Sequence, residues 1–277
     1  MSAQIIDGTK IAQDIRNEVA EGVKELQAKH GLTPGLAVVL VGDNPASAVY
    51  VRNKGRACQE VGMFSETFKM PQAASQEEVL KLIGKLNHDD RFHGILVQLP
   101  LPPQIDERRA IFALDPAKDV DGLHPVNVGH LVEGAPTFIP CTPAGAQQLL
   151  LRYGYSPEGK NVVVCGRSNI VGKPISILLM QKNPGANATV TICHTGTKNL
   201  AQITDMVKEG VVVIDVGINA VNDPTKKQGY HLEGDVDFEA VSKKAAAITP
   251  VPGGVGPMTI AMLLSNTLKA AQHKAGS

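Results

Sequence analysis

The chain has 277 residues, with 27 Lys plus Arg against 27 Asp plus Glu and a sequence pI of about 7.1; that balance excludes a general electrostatic attraction to nucleic acid or to an anionic membrane. Such a length allows about three quarters of the unfolded surface to be buried, enough for one large or two modest domains. No run approaches about 18 consecutive apolar residues, and "MSAQIIDGTK" has no apolar signal-peptide core, so a soluble, unexported, cytoplasmic protein is expected, with small molecules or other subunits as partners.

Helical and strand patterns then alternate along the chain. "DGTKIAQDIRNEVAEGVKELQAKHG" places Ile11, Ile15, Val19, Val23 and Leu26 on one stripe and stops at Gly31, which predicts an amphipathic helix. "GLAVVLVG" (35–42) predicts a buried strand. "ASAVYVRNKGRACQEVG" and "SQEEVLKLIGKLNHD" predict two more helices, and "GILVQLPLP" (94–102) a strand ended by prolines. This rhythm favours a parallel sheet with helices on its faces. Residues 103–142 show little regular period and are expected to form a functional loop.

From "CTPAGAQQLLLRYG" the rhythm restarts. "KNVVVCG", "ATVTIC" and "VVVIDVG" predict strands, "GKPISILLMQ" and "TKNLAQITDMVKEG" helices, and "GPMTIAMLLSNTLKAAQHK" a long terminal helix. A strand, a glycine turn and a helix in that order open a dinucleotide-binding fold. The turn "CGRSNIVGKP" fails the P-loop pattern, because five residues separate Gly166 and Gly172 and Pro174 stands where a hydroxyl would hold magnesium. GxGxxG also fits imperfectly, with Ser168 and Val171 at the second and third glycine positions. What survives is a helix N-terminus offering N–H groups to a diphosphate, although a tight strand-to-helix connection would read the same. No acidic residue follows the second strand to bond a ribose hydroxyl, whereas Arg167 is placed to pair with a ribose phosphate; that favours NADP over NAD. Cys58, Cys141, Cys165 and Cys193 lack CxxC spacing, so reduced thiols are expected and no metal site.

Three side chains stand out chemically. Tyr50 and Lys54 in "YVRNK" are spaced i, i+4 and share a helix face. Gln98 interrupts an apolar strand, and a buried amide left without partners costs roughly 1 to 3 kcal/mol. Ordinary readings stand beside these: an exposed basic face for Lys54 and Arg56, and for Asp121 in "DVDGLH" a local turn.

Together "SAVYVRNKGRACQEVG", "GILVQLPLP", "KDVDGLHPVNVG", "PCTPAG", "GRSNIVGKP", "VIDVGIN", "GDVDF" and "TPVPGGVGPMT" resemble the bifunctional methylenetetrahydrofolate dehydrogenase/cyclohydrolase family, in order from about Ile5 to Leu268. The resemblance implies an α/β protein of two domains with the active-site cleft between them. One is a βαβ N-terminal folate-binding domain (1–140 plus 257–277), the other a Rossmann-like parallel-sheet NADP-binding domain (141–256). It implies oxidation of 5,10-methylenetetrahydrofolate with NADP, hydrolysis of the methenyl product to 10-formyltetrahydrofolate, and a homodimer. Carried over by residue, Lys54 is the principal catalytic group, Tyr50 stacks on the folate, Gln98 positions Lys54, and Asp121 anchors the pterin. Pro252, Gly253 and Gly254 offer a flat backbone to the substrate, and Gly166, Arg167, Ser168, Thr195 and Ile218 bind the cofactor. A Lys54 desolvated beside a neutral amide is expected to have a lowered pKa and to shuttle the proton.

The chain departs from the family twice. "HTGT" at 194–197 keeps a hydroxyl at Thr195 but has Gly196 where a basic residue is usual, so the NADP preference rests on Arg167. Between "TKNL" and "VKEG" the family carries a further strand and a glycine-lysine-proline turn, for which "AQITDM" is too short. Losing a central parallel strand should break the sheet, so the expectation is an omitted segment and a chain break near 199–207. A genuine shortening would favour a cyclohydrolase-only enzyme or a non-catalytic NADP-binding protein. A Rossmann dehydrogenase of another substrate class would ignore folates altogether.

Overall fold

The apolar run Gly35–Val41 forms β2, and all seven of its residues are buried. The computed structural model describes residues 2–200, 208–226 and 229–276. Within it the chain divides into two compact units, one of Met1–Gln13 with Cys141–Ala261, the other of Asp14–Pro140 with Met262–Ser277.

In the second of these units β2 lies between β3 (Phe64–Met70) and β4 (Gly94–Val97), parallel to both. Strands hydrogen-bonded on both edges and covered on both faces need no polar residues, which is why β2 carries none. Helix α1 (Gly8–His30) begins in the other unit's sequence and ends at Gly31, whose φ of 63° stops it. Its predicted stripe of Ile11, Ile15, Val19, Val23 and Leu26 is buried. Helix α2 (Pro45–Glu60) packs on β2 and β3. Helix α3 (Gln76–Asn87) buries Val79, Ile83 and Leu86 against Val39, Phe92 and Ile95. It starts with a capping box, Ser75 accepting from Glu78 N–H while Glu78 accepts from Ser75 N–H. Ser75→Ala is expected to cost about 0.5–2 kcal/mol in urea unfolding; an unchanged midpoint would show that the box contributes nothing.

The 103–142 region, expected as a functional loop of little regular period, holds helical turns as well. It contains α4 (Glu107–Phe112) and α5 (Pro125–Glu133). These helices are too short to display a hydrophobic period, and α5 is capped by a histidine, His124, followed by Pro125 and ended at Gly134 with φ 83°. The predicted 94–102 strand is also corrected, since its ladder assignment stops at Val97 before the prolines. Strand β3 was not expected, because an edge strand reading FSETFKM alternates polar residues.

The other unit contains α6 (Cys141–Arg152), β5 (Asn161–Cys165), α7 (Gly172–Met180) and β6 (Thr189–Cys193), with α7 packed on α6 and β6. Strands β5 and β6 pair in parallel. A separate parallel sheet joins β1 (Gln4–Ile5), β10 (Ala247–Ile248) and β7 (Val212–Val213) in that order. A β8–β9 hairpin (Asn219–Asn222, Tyr230–Glu233) and α8 (Phe238–Val241) precede the terminal helix α9 (Val255–Ala275). The strand predicted over "VVVIDVG" shortens to Val212–Val213, because Asp215 leaves the ladder for backbone donors of another segment. The helix expected over "TKNLAQITDMVKEG", and the chain break expected near 199–207, fall largely on residues 201–207, outside the described residues.

Candidate active site

Lys54 and Gln98 meet. Lys54 is half-buried on α2, which follows the carboxyl end of β2, and its Nζ donates to Gln98 Oε1 at 3.0 Å. Gln98 is the first residue beyond β4; its N–H continues the ladder to Val39 O at 2.9 Å, and its Nε2 donates to Leu99 O at 2.7 Å. Both halves of the amide are therefore engaged, which accounts for a polar residue at the end of an apolar strand. The orientation follows from chemistry, because an ammonium donates and only the amide oxygen accepts. Tyr50 lies one turn earlier on the same helix and is 45% exposed, an aromatic face open to a ligand. The carboxyl ends of parallel strands are where α/β sheets bind ligands.

Asp121 is half-buried on the turn that follows Asp119, and Asp119 forms a parallel bridge with Ile95 of β4. That bridge brings the Asp121 turn to the strand that leads into Gln98. Asp119, which no local pattern singles out as functional, fastens the turn. Its Oδ2 accepts from His124 N–H at 2.7 Å and Asn127 Nδ2 at 2.8 Å, while among the described residues the buried Oδ1 meets no hydrogen-bond donor. Burial pushes the Asp119 carboxyl up from its usual range, opposed by the bonds from Asn127 and His124. A raised carboxyl pKa means that the folded state holds the proton more tightly than the unfolded chain. The associated stability is present at acid pH and is lost as pH rises through the folded value. Asp119→Asn cannot ionise, so its stability relative to the parent is expected to improve from pH 4 toward 7 in urea titrations; a difference independent of pH would refute this.

In the other unit, the turn after β5 carries the predicted cofactor residues. Gly166 has φ 138°, and no atom lies within 4 Å of where its side chain would stand. Arg167 is exposed, and Ser168 Oγ accepts from Val171 and Gly172 N–H at 3.1 and 3.2 Å, which caps the start of α7. An open glycine, an exposed guanidinium and a helix start suit a dinucleotide phosphate. Thr195 follows β6 and is exposed, as is Ile218 at 48%. Gly253, with φ 102°, accepts from Thr9 N–H at 3.1 Å, and Gly254 packs so close to Thr249 that a side chain would fall 2.8 Å from its Cβ. Pro252 follows a cis peptide.

Asp215, inside "VIDVGIN", is a structural anchor that the sequence reading does not single out. It is buried, its N–H donates to Thr249 Oγ1 at 2.7 Å, and its carboxylate accepts from the N–H groups of Gly217, Asp235 and Val236 at 2.9, 3.1 and 3.0 Å. One side chain thus joins "VIDVGIN", "GDVDF" and "TPVPGG". An aspartate interrupting an apolar run is the available signal, the same kind of anomaly that singles out Gln98. Asp215 also lines a cavity of about 460 Å³ with Glu233, Asp237, Phe238 and Pro250.

Residues 6–121 match the model of the tetrahydrofolate dehydrogenase/cyclohydrolase catalytic domain, and residues 140–275 that of its NAD(P)-binding domain. The bifunctional protein FolD of Dehalococcoides mccartyi is 55% identical over 294 residues, covering 100% of this chain and 99% of its own. The bifunctional FolD methylenetetrahydrofolate dehydrogenase/cyclohydrolase of Campylobacter jejuni superposes with a TM-score of 0.91 at 46% identity, covering 99% of this chain and 100% of its own. The Trypanosoma brucei enzyme, solved with NADP and an inhibitor, gives 0.93 at 38% identity, with both chains covered in full. The first alignment has 294 positions against 277 residues, so at least 17 positions of that relative have no counterpart here.

Proposed function

The chain belongs to the tetrahydrofolate dehydrogenase/cyclohydrolase family, and from that premise we infer a bifunctional enzyme of one-carbon metabolism. It oxidises 5,10-methylenetetrahydrofolate to the 5,10-methenyl compound with NADP and hydrolyses that product to 10-formyltetrahydrofolate. The observation that carries the assignment of the site is the Lys54–Gln98 bond of 3.0 Å.

A carbon bridging two nitrogens becomes an iminium-like cation on losing hydride; water then adds to it, and one nitrogen must gain a proton before the ring opens. Lys54 moves that proton. Gln98 suits this role because a neutral amide holds the ammonium in place without the fixed negative charge that would lock it protonated. Tyr50 stacks on the flat folate, and Asp121 accepts from pterin N–H groups. Gly166, Arg167, Ser168, Thr195 and Ile218 hold the dinucleotide, which supplies the hydride acceptor when bound. Arg167 selects a ribose phosphate. Pro252, Gly253 and Gly254 let the substrate approach backbone closely. On this reading residues 1–140 with 257–277 carry the folate chemistry and 141–256 the dinucleotide, in a cytoplasmic homodimer. Among the described residues no helix is long and apolar enough to cross a membrane, which is in keeping with that location.

The test is incubation with 5,10-methylenetetrahydrofolate plus NADP or NAD, following nicotinamide reduction and methenyl decay separately. Both signals are expected, with NADP preferred; inertness toward folates would overturn the reading. A cyclohydrolase-only enzyme is the second reading, favoured by the short stretch "AQITDM" between "TKNL" and "VKEG" if that shortening is genuine. It would hydrolyse methenyltetrahydrofolate without reducing either nucleotide.

A further inference from the structure

The terminal helix α9 carries a buried amide. From Met262 onward it belongs to the unit of Asp14–Pro140. Its buried apolar positions there include Leu263, Leu264, Leu268, Ala270 and Ala271, and among them stands Asn266, only 8% exposed. An amide on an apolar helix face costs free energy unless its hydrogens are taken, and asparagine is a poor helix former as well. Asn266 Nδ2 donates to Val120 O at 2.9 Å and to Ile139 O at 3.0 Å, residues 146 and 127 positions away. An amide nitrogen offers two hydrogens, one for each carbonyl.

Val120 O belongs to the peptide group that leads into Asp121, and the rest of that turn is fixed as firmly. The buried Val120 side chain fills the place that a Cβ on Gly94 of β4 would take. Asp119 is held by His124 N–H and Asn127 Nδ2, and Asn127 Nδ2 also donates to Pro116 O at 2.9 Å. Gly122, with φ 71°, packs so closely on Ile139 and Pro140 that a Cβ would fall 2.8 Å from Pro140 N. Asp121 is the exception: it is half-buried, and among the described residues no hydrogen-bond donor reaches its carboxylate. A turn tied down around one uncommitted acceptor is preorganised for a ligand, because the ordering cost is met in folding and not in binding.

We propose that Asn266 is a positioning residue for the folate, acting through Asp121: by fixing the Val120–Asp121 peptide to the terminal helix, it aims the Asp121 carboxylate at the N–H groups of the pterin. The inference rests on the reading of Asp121 as the pterin anchor and assigns what holds that anchor. Displacing a positioned group by about 1 Å can cost up to about 100-fold, so loss of one amide far along the chain is felt at the substrate.

The experiment measures methenyltetrahydrofolate hydrolysis and, by calorimetry, binding of tetrahydrofolate, which carries the same pterin without the one-carbon unit. The full-length proteins compared are the parent, Asn266→Ala, Asn266→Leu, Asp121→Ala and the Asn266→Ala/Asp121→Ala double variant. Asn266→Ala is expected to weaken tetrahydrofolate binding and raise KM about tenfold, and to lower kcat much less. In the Asp121→Ala background the same change should add nothing, because a residue that acts through another has no effect once that other is gone. Asn266→Leu keeps the volume and lacks the donors, so it should weaken folate binding as alanine does while restoring part of the lost melting temperature. Additive losses in the double variant, parent-like folate affinity in either Asn266 variant, or a fall confined to kcat would overturn the proposal. Failure of both Asn266 variants to fold would overturn it too, by making the amide a requirement of the fold. If Asp121→Ala still weakens folate binding in those cases, the pterin-anchor reading stands without Asn266; if Asp121→Ala binds folate as the parent does, that reading falls and the proposal with it.

Discussion

Lys54→Met is expected to lower cyclohydrolase turnover about 100- to 10,000-fold, the range that positioned proton transfer supplies, equivalent to roughly 3–5 kcal/mol of barrier. Methionine keeps the length and apolar stem of the side chain but can neither give nor take a proton. The cost to folding should be small, since Lys54 is only half-buried. Lys54→Arg should not rescue turnover, because a guanidinium keeps its proton at any working pH. The measurement is methenyltetrahydrofolate decay with melting temperature as control. A folded Met variant within a few-fold of the parent would remove Lys54 from the chemistry, and full rescue by arginine would reduce its role to charge.

The second large effect concerns folding of the dinucleotide unit. Asp215→Ala leaves the N–H groups of Gly217, Asp235 and Val236 without their acceptor. Their surroundings are only part-buried, so each orphaned donor costs the low end of roughly 1–3 kcal/mol, and a loss of about 3 kcal/mol in denaturant unfolding is expected. The packing leaves little room for repair: a side chain on Gly234 would run into the Asp215 carboxylate. Asp215→Asn preserves the shape and one acceptor oxygen and should cost distinctly less than alanine. Since Ile218 lies three residues beyond Asp215, and Thr249 begins the segment leading to Pro252–Gly254, the alanine variant should also raise the apparent KM for NADP and for folate. Equal stability of parent and alanine variant would show that water replaces the carboxylate at no cost.

Local pattern alone makes α1, β2, α3 and the β5–α7 turn legible, because apolar periodicity and caps are properties of adjacent residues. Gln98 is legible for the same reason, as a polar residue where only apolar ones belong. Strand β3 and the β8–β9 hairpin are not, since a polar edge strand owes its existence to its neighbour and not to its own propensity. Helices α4 and α5 escape because one or two turns carry too few residues to reveal a period.

By itself the sequence determined the α/β class and the family and singled out candidate side chains for the chemistry, all of which are written in residue type and order. Only the tertiary structure decided which of them touch. It set the Lys54 ammonium against the Gln98 amide from residues 44 apart, joined three distant segments through Asp215, and left β5 half-covered. Those outcomes depend on how distant segments satisfy buried donors, acceptors and strand edges, and no local window of sequence contains both partners.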